Sequence, residues 1–116
     1  MAYSAAEFEL FQAKFKKWQE RFGLNGWNVY FKYEPLGTDY AKIYYDLTQM
    51  TAVVSLNSDP LEEDKADNDI VKHAKHEAIH LLLGRLKANG STRYISENEM
   101  TESCEELVHK LEGLID

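Results

Sequence analysis

Phe8, Phe11, Phe15, Trp18 and Phe22 recur at steps of three and four, a period that lays one apolar stripe along an α-helix. Ser4 and Glu7 form a capping box ahead of the stripe, and Gly23 ends it. A stripe this regular predicts a core-facing helix covering one face of a sheet. Beyond Asn25-Gly26 the period changes to two. Trp27, Val29, Phe31 and Tyr33 alternate with Asn28, Tyr30, Lys32 and Glu34, as a half-buried strand requires. Pro35 to Asp39 breaks that strand, after which Ala41, Ile43, Tyr45 and Leu47 alternate with Lys42, Tyr44 and Asp46. Thr48-Gln49-Met50 is a tight connection into Thr51 to Leu56, whose β-branched residues favour a third strand. Three strands joined by short loops predict a mostly antiparallel sheet, a meander.

Asn57-Ser58-Asp59-Pro60 ends the sheet, and Asp59, Pro60 and Glu62 read as the N-cap, first-turn proline and first-turn acid of a short helix. The acids Glu62, Glu63, Asp64, Asp67 and Asp69 lack the glycine and spacing of a calcium loop, and they complement the positive end of a following helix. That helix is expected from about Asp67 or Asn68 to Leu83 or beyond. Ile70, Ala74, Ala78, Leu81 and Leu82 fall on one side of it, and Asp69, His73, His76, Glu77, His80 and Gly84 on the other. Asn89-Gly90-Ser91 reads as a turn. Ser96 with Glu99 then caps a last helix that carries Met100, Cys104, Leu107, Val108, Leu111, Leu114 and Ile115 toward the core. The predicted layout is α+β: helix, three strands, histidine-bearing helix and final helix, in a single domain over residues 1–116.

Charge and cysteine content narrow the chemistry. Thirteen Lys and Arg stand against 20 Asp and Glu, a net charge of −7 that disfavours nucleic acid as a partner. Lys14, Lys16, Lys17 and Arg21 read as the solvated side of the first helix. The single Cys104 excludes an intramolecular disulfide and is expected as a small buried residue in a reducing compartment. No apolar run approaches the roughly 20 residues that span a bilayer, and the polar N-terminus lacks a secretory core, so no membrane association and a cytoplasmic location are expected.

The chemistry concentrates in His76-Glu77-Ala78-Ile79-His80. Helical residues four apart stand one turn apart on the same face, so both imidazoles reach one metal ion. Glu77 lies about 100° round from His76, close enough to hold a water there. This is the His-Glu-x-x-His arrangement of zinc metallopeptidases. Catalytic zinc usually takes three protein ligands. His73 shares the face but stands two turns, about 10 Å, from His80, too far for one ion. The last helix offers Glu105 near the margin of its apolar stripe, with Glu102 and Glu106 as second and third choices. Antiparallel packing of the two helices would bring its second or third turn level with the metal. Water as the third ligand remains open.

At these residues the chain resembles small gluzincin-type zinc metallopeptidases, in particular compact metallopeptidase-like proteins of bacteriophages, similar in appearance to SprT-like domains. The resemblance is carried by Trp27 opening the first strand, by Thr51 to Leu56 followed by Asn57, by His76 to Gly84, and by the segment Glu105 to Glu112. It implies a minimal zincin-like fold in which His76 and His80 bind Zn2+, Glu77 polarises water as general base, and a last-helix glutamate completes the site. It also implies peptide or protein substrates and, for a phage-encoded chain, the cytoplasm of a bacterial host. The strand from Thr51 to Leu56, if at the sheet edge beside the metal helix, would pair with an extended substrate. Tyr94 or His109 is a candidate for stabilising an oxyanion. The rival expectation is a zinc-containing protein-binding module without peptidase activity.

Overall fold

The computed structural model describes residues 4–59, 70–92, 94–112 and 114. Helix α1 (Ala5–Arg21) begins on the expected capping box: the Ser4 hydroxyl accepts from the Glu7 N–H at 3.1 Å, and the Glu7 carboxylate accepts from the Ser4 N–H at 2.9 Å. Its stripe is core. Phe11 and Phe15 are fully buried and meet Phe31 edge-on at 6.4 and 5.6 Å between ring centroids, and Phe8 stacks on Tyr33 at 5.1 Å.

The three strands, β1 (Asn28–Glu34), β2 (Ala41–Asp46) and β3 (Thr51–Asn57), lie where the alternation placed them. Their order corrects the expected meander. The sheet runs β1-β3-β2, with β3 parallel to β1 and antiparallel to β2, so β3 is central and cannot serve as a substrate-pairing edge. Residues 35–40 carry the chain across the end of β3, a span of two strand spacings or about 10 Å. Charge explains the arrangement: β3 has no charged residue, whereas Lys32, Glu34, Lys42 and Asp46 sit on the two edge strands.

Helices α1 and α2 (Ile70–Leu82) cover one face of the sheet, with α2 against both α1 and β2. Tyr30 and Tyr44 stand 60% and 71% exposed on the opposite side. The expected short helix at Asp59 to Glu62, the acidic run and the start of the histidine helix at Asp67 or Asn68 fall largely on residues 60–69, outside the described residues. After α2 a separate short helix, α3 (Gly84–Gly90), takes in Asn89 and Gly90, expected in a turn, and α4 (Glu97–Glu112) follows from Ser96, whose hydroxyl accepts from the Glu99 N–H. The Tyr45 ring lies against Gly84, where an added Cβ would stand 3.0 Å from it. Helix α4 packs chiefly on α3, with Leu107 and Ser103 buried, so the core side of α4 differs from the expected stripe. Cys104 is exposed, against the expected buried position, and Val108 is 53% exposed. No helix among the described residues is long and apolar enough to cross a membrane.

Candidate metal centre

Helix α2 is fastened by its back. Ala74 and Ala78 are fully buried and Ile70 and Leu81 nearly so, which fixes the opposite turn of the helix outward. His76 and His80 stand on that outward turn, with ring centroids 4.7 Å apart and Nε2 atoms 3.1 Å apart. Two imidazole nitrogens bound at 2.0–2.1 Å around a tetrahedral ion would be about 3.3 Å apart. The pair therefore fits the bite of one zinc ion. The same spacing also suits an N–H···N hydrogen bond between neutral rings. Burial, then the neighbouring His76 and Lys87, lowers the pKa of His80, which favours the neutral imidazole that ligates metal.

Glu77 takes the adjacent position and turns toward the sheet, only 6% exposed. Burial, and secondarily the charge of Asp39, raises its carboxyl from 4.5 to about 7, the range that suits a group taking and returning a proton near neutrality. Two cavities of about 320 Å³ each share Asp39, Ala41, His76 and Glu77 in their walls. One extends to His73, which stacks on Tyr40 at 4.7 Å, and the other to Lys42 of β2, His80 and Lys87. His73 is thus a lip residue of the site. The edge strand bordering the histidines is β2.

Asp39 reaches the site through a device the sequence pattern does not reveal. The side chain of Asn57, 1% exposed, makes four hydrogen bonds. Its Oδ1 accepts from the N–H groups of Leu36 and Asp59 at 3.2 and 2.8 Å. Its Nδ2 donates to the carbonyls of Gly37 and Asp39 at 3.1 and 2.7 Å. One buried amide thus holds the β1–β2 loop beside Glu77. Gly37, with φ +66°, supplies the left-handed backbone at the tip of that loop. An amide residue closing an uncharged strand was the available signal for Asn57.

The last-helix acids lie elsewhere. Arg85 of α3 binds the Glu106 carboxylate at 2.7 Å and that of Glu102 at 3.5 Å. The Glu105 side chain is 61% exposed, with its carboxylate 3.9 Å from His109 Nε2. Among the described residues no three His, Cys, Asp or Glu side chains gather closely enough to hold a metal ion. His76, His80 and Glu77 are brought together, and Glu105 is not brought to them, because α4 packs on α3 rather than directly along α2. Tyr94 is 84% exposed, and neither it nor His109 lines the two cavities at Glu77.

No family model and no curated protein matches the sequence. Among solved structures, the chain is similar to the crystal structure of the metallopeptidase zymogen of Methanocaldococcus jannaschii jannalysin, at 16% identity over 87% of this chain and 96% of that one. The TM-score is 0.41.

Proposed function

We propose that this chain is a zinc-dependent peptidase. The observation that carries the reading is the convergence of the two Nε2 atoms at 3.1 Å, with the Glu77 carboxyl on the next residue aimed into the cavity beside an edge strand. His76 and His80 would hold the ion. Zinc held there supplies Lewis acidity to a water and to the scissile carbonyl. Glu77 accepts the proton of the attacking water and returns it to the leaving amine, a task suited to a carboxyl with a pKa of about 7. The outer edge of β2, unpaired among the described residues, would pair with the backbone of an extended peptide substrate. The proposed third ligand is Glu105, which would reach the pair only by a shift of α4 from the arrangement described above. Of the three last-helix candidates it alone lies outside the Arg85 cluster, so its carboxylate has no guanidinium to leave.

The test joins zinc affinity, measured against a chromophoric chelator, with hydrolysis of a broad peptide library. The wild type is expected to bind zinc and cleave, Glu77→Gln to bind zinc without cleaving, and His76→Ala and His80→Ala to lose both. Undiminished cleavage by zinc-loaded Glu77→Gln would overturn the proposed role of Glu77. A wild type that binds zinc and cleaves nothing would support the binding-module alternative instead.

A further inference from the structure

One feature of the molecule lies outside the histidine site. Helices α1, α2 and α4 enclose an open groove of about 390 Å³, walled by Trp18, Phe22, Ile79, Leu82, Leu83 and Leu111. Ile79, Leu83 and Leu111 are 37%, 39% and 39% exposed, so large side chains on two helices present a joint apolar surface to water. Trp18 sits at its rim under three cations. Lys75 lies 4.7 Å from its ring centroid, Arg21 5.5 Å and Lys17 5.6 Å. Among the described residues none of the three is paired with a carboxylate. In a chain whose acids outnumber its bases 20 to 13, this is a local concentration of positive charge beside an apolar trough, unpaired among the described residues.

We propose that this groove docks an amphipathic helix of a partner protein, one that sets leucine or phenylalanine side chains between glutamates or aspartates. An open apolar trough walled by helices suits a further helix laid in it, and the anchors would enter between Ile79, Leu83 and Leu111. Carboxylates on its flank complement Lys17, Arg21 and Lys75. A partner of like charge would meet the three cations, and a purely apolar one would leave them uncompensated. The surface is separate from Glu77, which faces the sheet on the other side of α2, and the proposal does not depend on peptidase activity.

The experiment uses the full chain without added metal and a fluorescein-labelled helical peptide of about 15 residues, long enough for four turns, with leucine and phenylalanine at helical spacing among glutamates. Fluorescence anisotropy should show saturable binding that weakens as salt is raised. The double variant Arg21→Glu/Lys75→Glu should weaken it by about tenfold or more, and Leu111→Ser by a similar factor. Both changes are at exposed positions, and circular dichroism would verify that each variant remains folded. Equal binding of a peptide with lysines in place of the glutamates would overturn the proposal, as would charge-reversed protein binding within twofold of wild type. Concentration-dependent dimerisation abolished by Leu111→Ser would assign the groove to a second copy of the chain and would likewise overturn it.

Discussion

Replacing Asn57 by alanine should cost this protein a large part of its stability, although the side chain touches neither histidine. The substitution removes four hydrogen bonds at once. At about 1 kcal/mol net for each, the ceiling is about 4 kcal/mol. Gly37 and Asp39 are exposed, so water can replace the amide at their carbonyls, while the N–H of half-buried Leu36 is harder to rehydrate. The expected loss is therefore about 2–4 kcal/mol, against a typical domain stability of roughly 5–15 kcal/mol. Asn57→Asp sharpens the argument. It keeps the oxygen that accepts from Leu36 and Asp59 but turns a second oxygen toward the two carbonyls, so it should cost about as much as alanine at neutral pH. Protonation in acid would restore one donor and narrow the gap. Urea unfolding followed by tryptophan fluorescence measures both losses, with Trp27 buried in the core as reporter. A loss below about 1 kcal/mol in both variants would refute the clamp.

Two further outcomes test the site and its surroundings. The Glu77 carboxyl is raised in the folded chain from 4.5 to about 7, so the native state holds its proton more tightly than the unfolded one. In metal-free protein its contribution to stability is complete below about pH 4.5 and is lost as pH rises through about 7. His80, shifted down, changes stability in the opposite direction. The clean comparison is wild type with Glu77→Gln, and the wild type should lose about 2–3 kcal/mol relative to the variant between pH 5 and 8. A pH-independent difference in their urea midpoints would contradict the burial of that carboxyl. At Gly84, alanine would ordinarily strengthen a helix by up to about 1 kcal/mol. Here its Cβ would press on the Tyr45 ring at 3.0 Å, so Gly84→Ala is expected to destabilise by about 1–3 kcal/mol, and a raised melting temperature would show that the ring yields freely.

Periodicity carried most of the secondary structure into view. The Phe8 to Phe22 stripe, the two alternating strands, the Ser4–Glu7 capping box and the Ser96 cap of α4 rest on contacts within a few residues, which a sequence displays directly. Strand order depends on which strand loses least by being paired on both edges. The absence of charge from Thr51 to Asn57 was the legible sign of that, overshadowed by the short loops. The histidine pair and Glu77 were readable because helical geometry alone brings them together. Asp39 was not, since it arrives through Asn57, a contact between residues 18 apart in sequence. The last-helix acids were harder still. Their placement turns on α3, which breaks away from α2 at Gly84 and offers Arg85 to Glu102 and Glu106. The exposed Cys104 has the same origin, because α4 turns Ser103 and Leu107 inward instead.

The central position of β3 also dictates an order of assembly. Strands β2 and β3 form a local hairpin, closed where Asp46 accepts from the N–H groups of Thr48 and Gln49 and Met50 takes a φ of 55°. Strand β1 pairs with β3 in a register from Asn28 on Thr51 to Glu34 on Asn57, across a longer loop than the one that closes the hairpin. Loop-closure entropy therefore favours the hairpin as the early event, with α1 and β1 docking later. Val53→Ala in the hairpin should slow refolding, whereas Val29→Ala in β1 should mainly speed unfolding, and the reverse partition in a chevron plot would contradict this order. The β2–β3 hairpin thus nucleates the sheet, and the aromatic helix α1 with β1 closes over it.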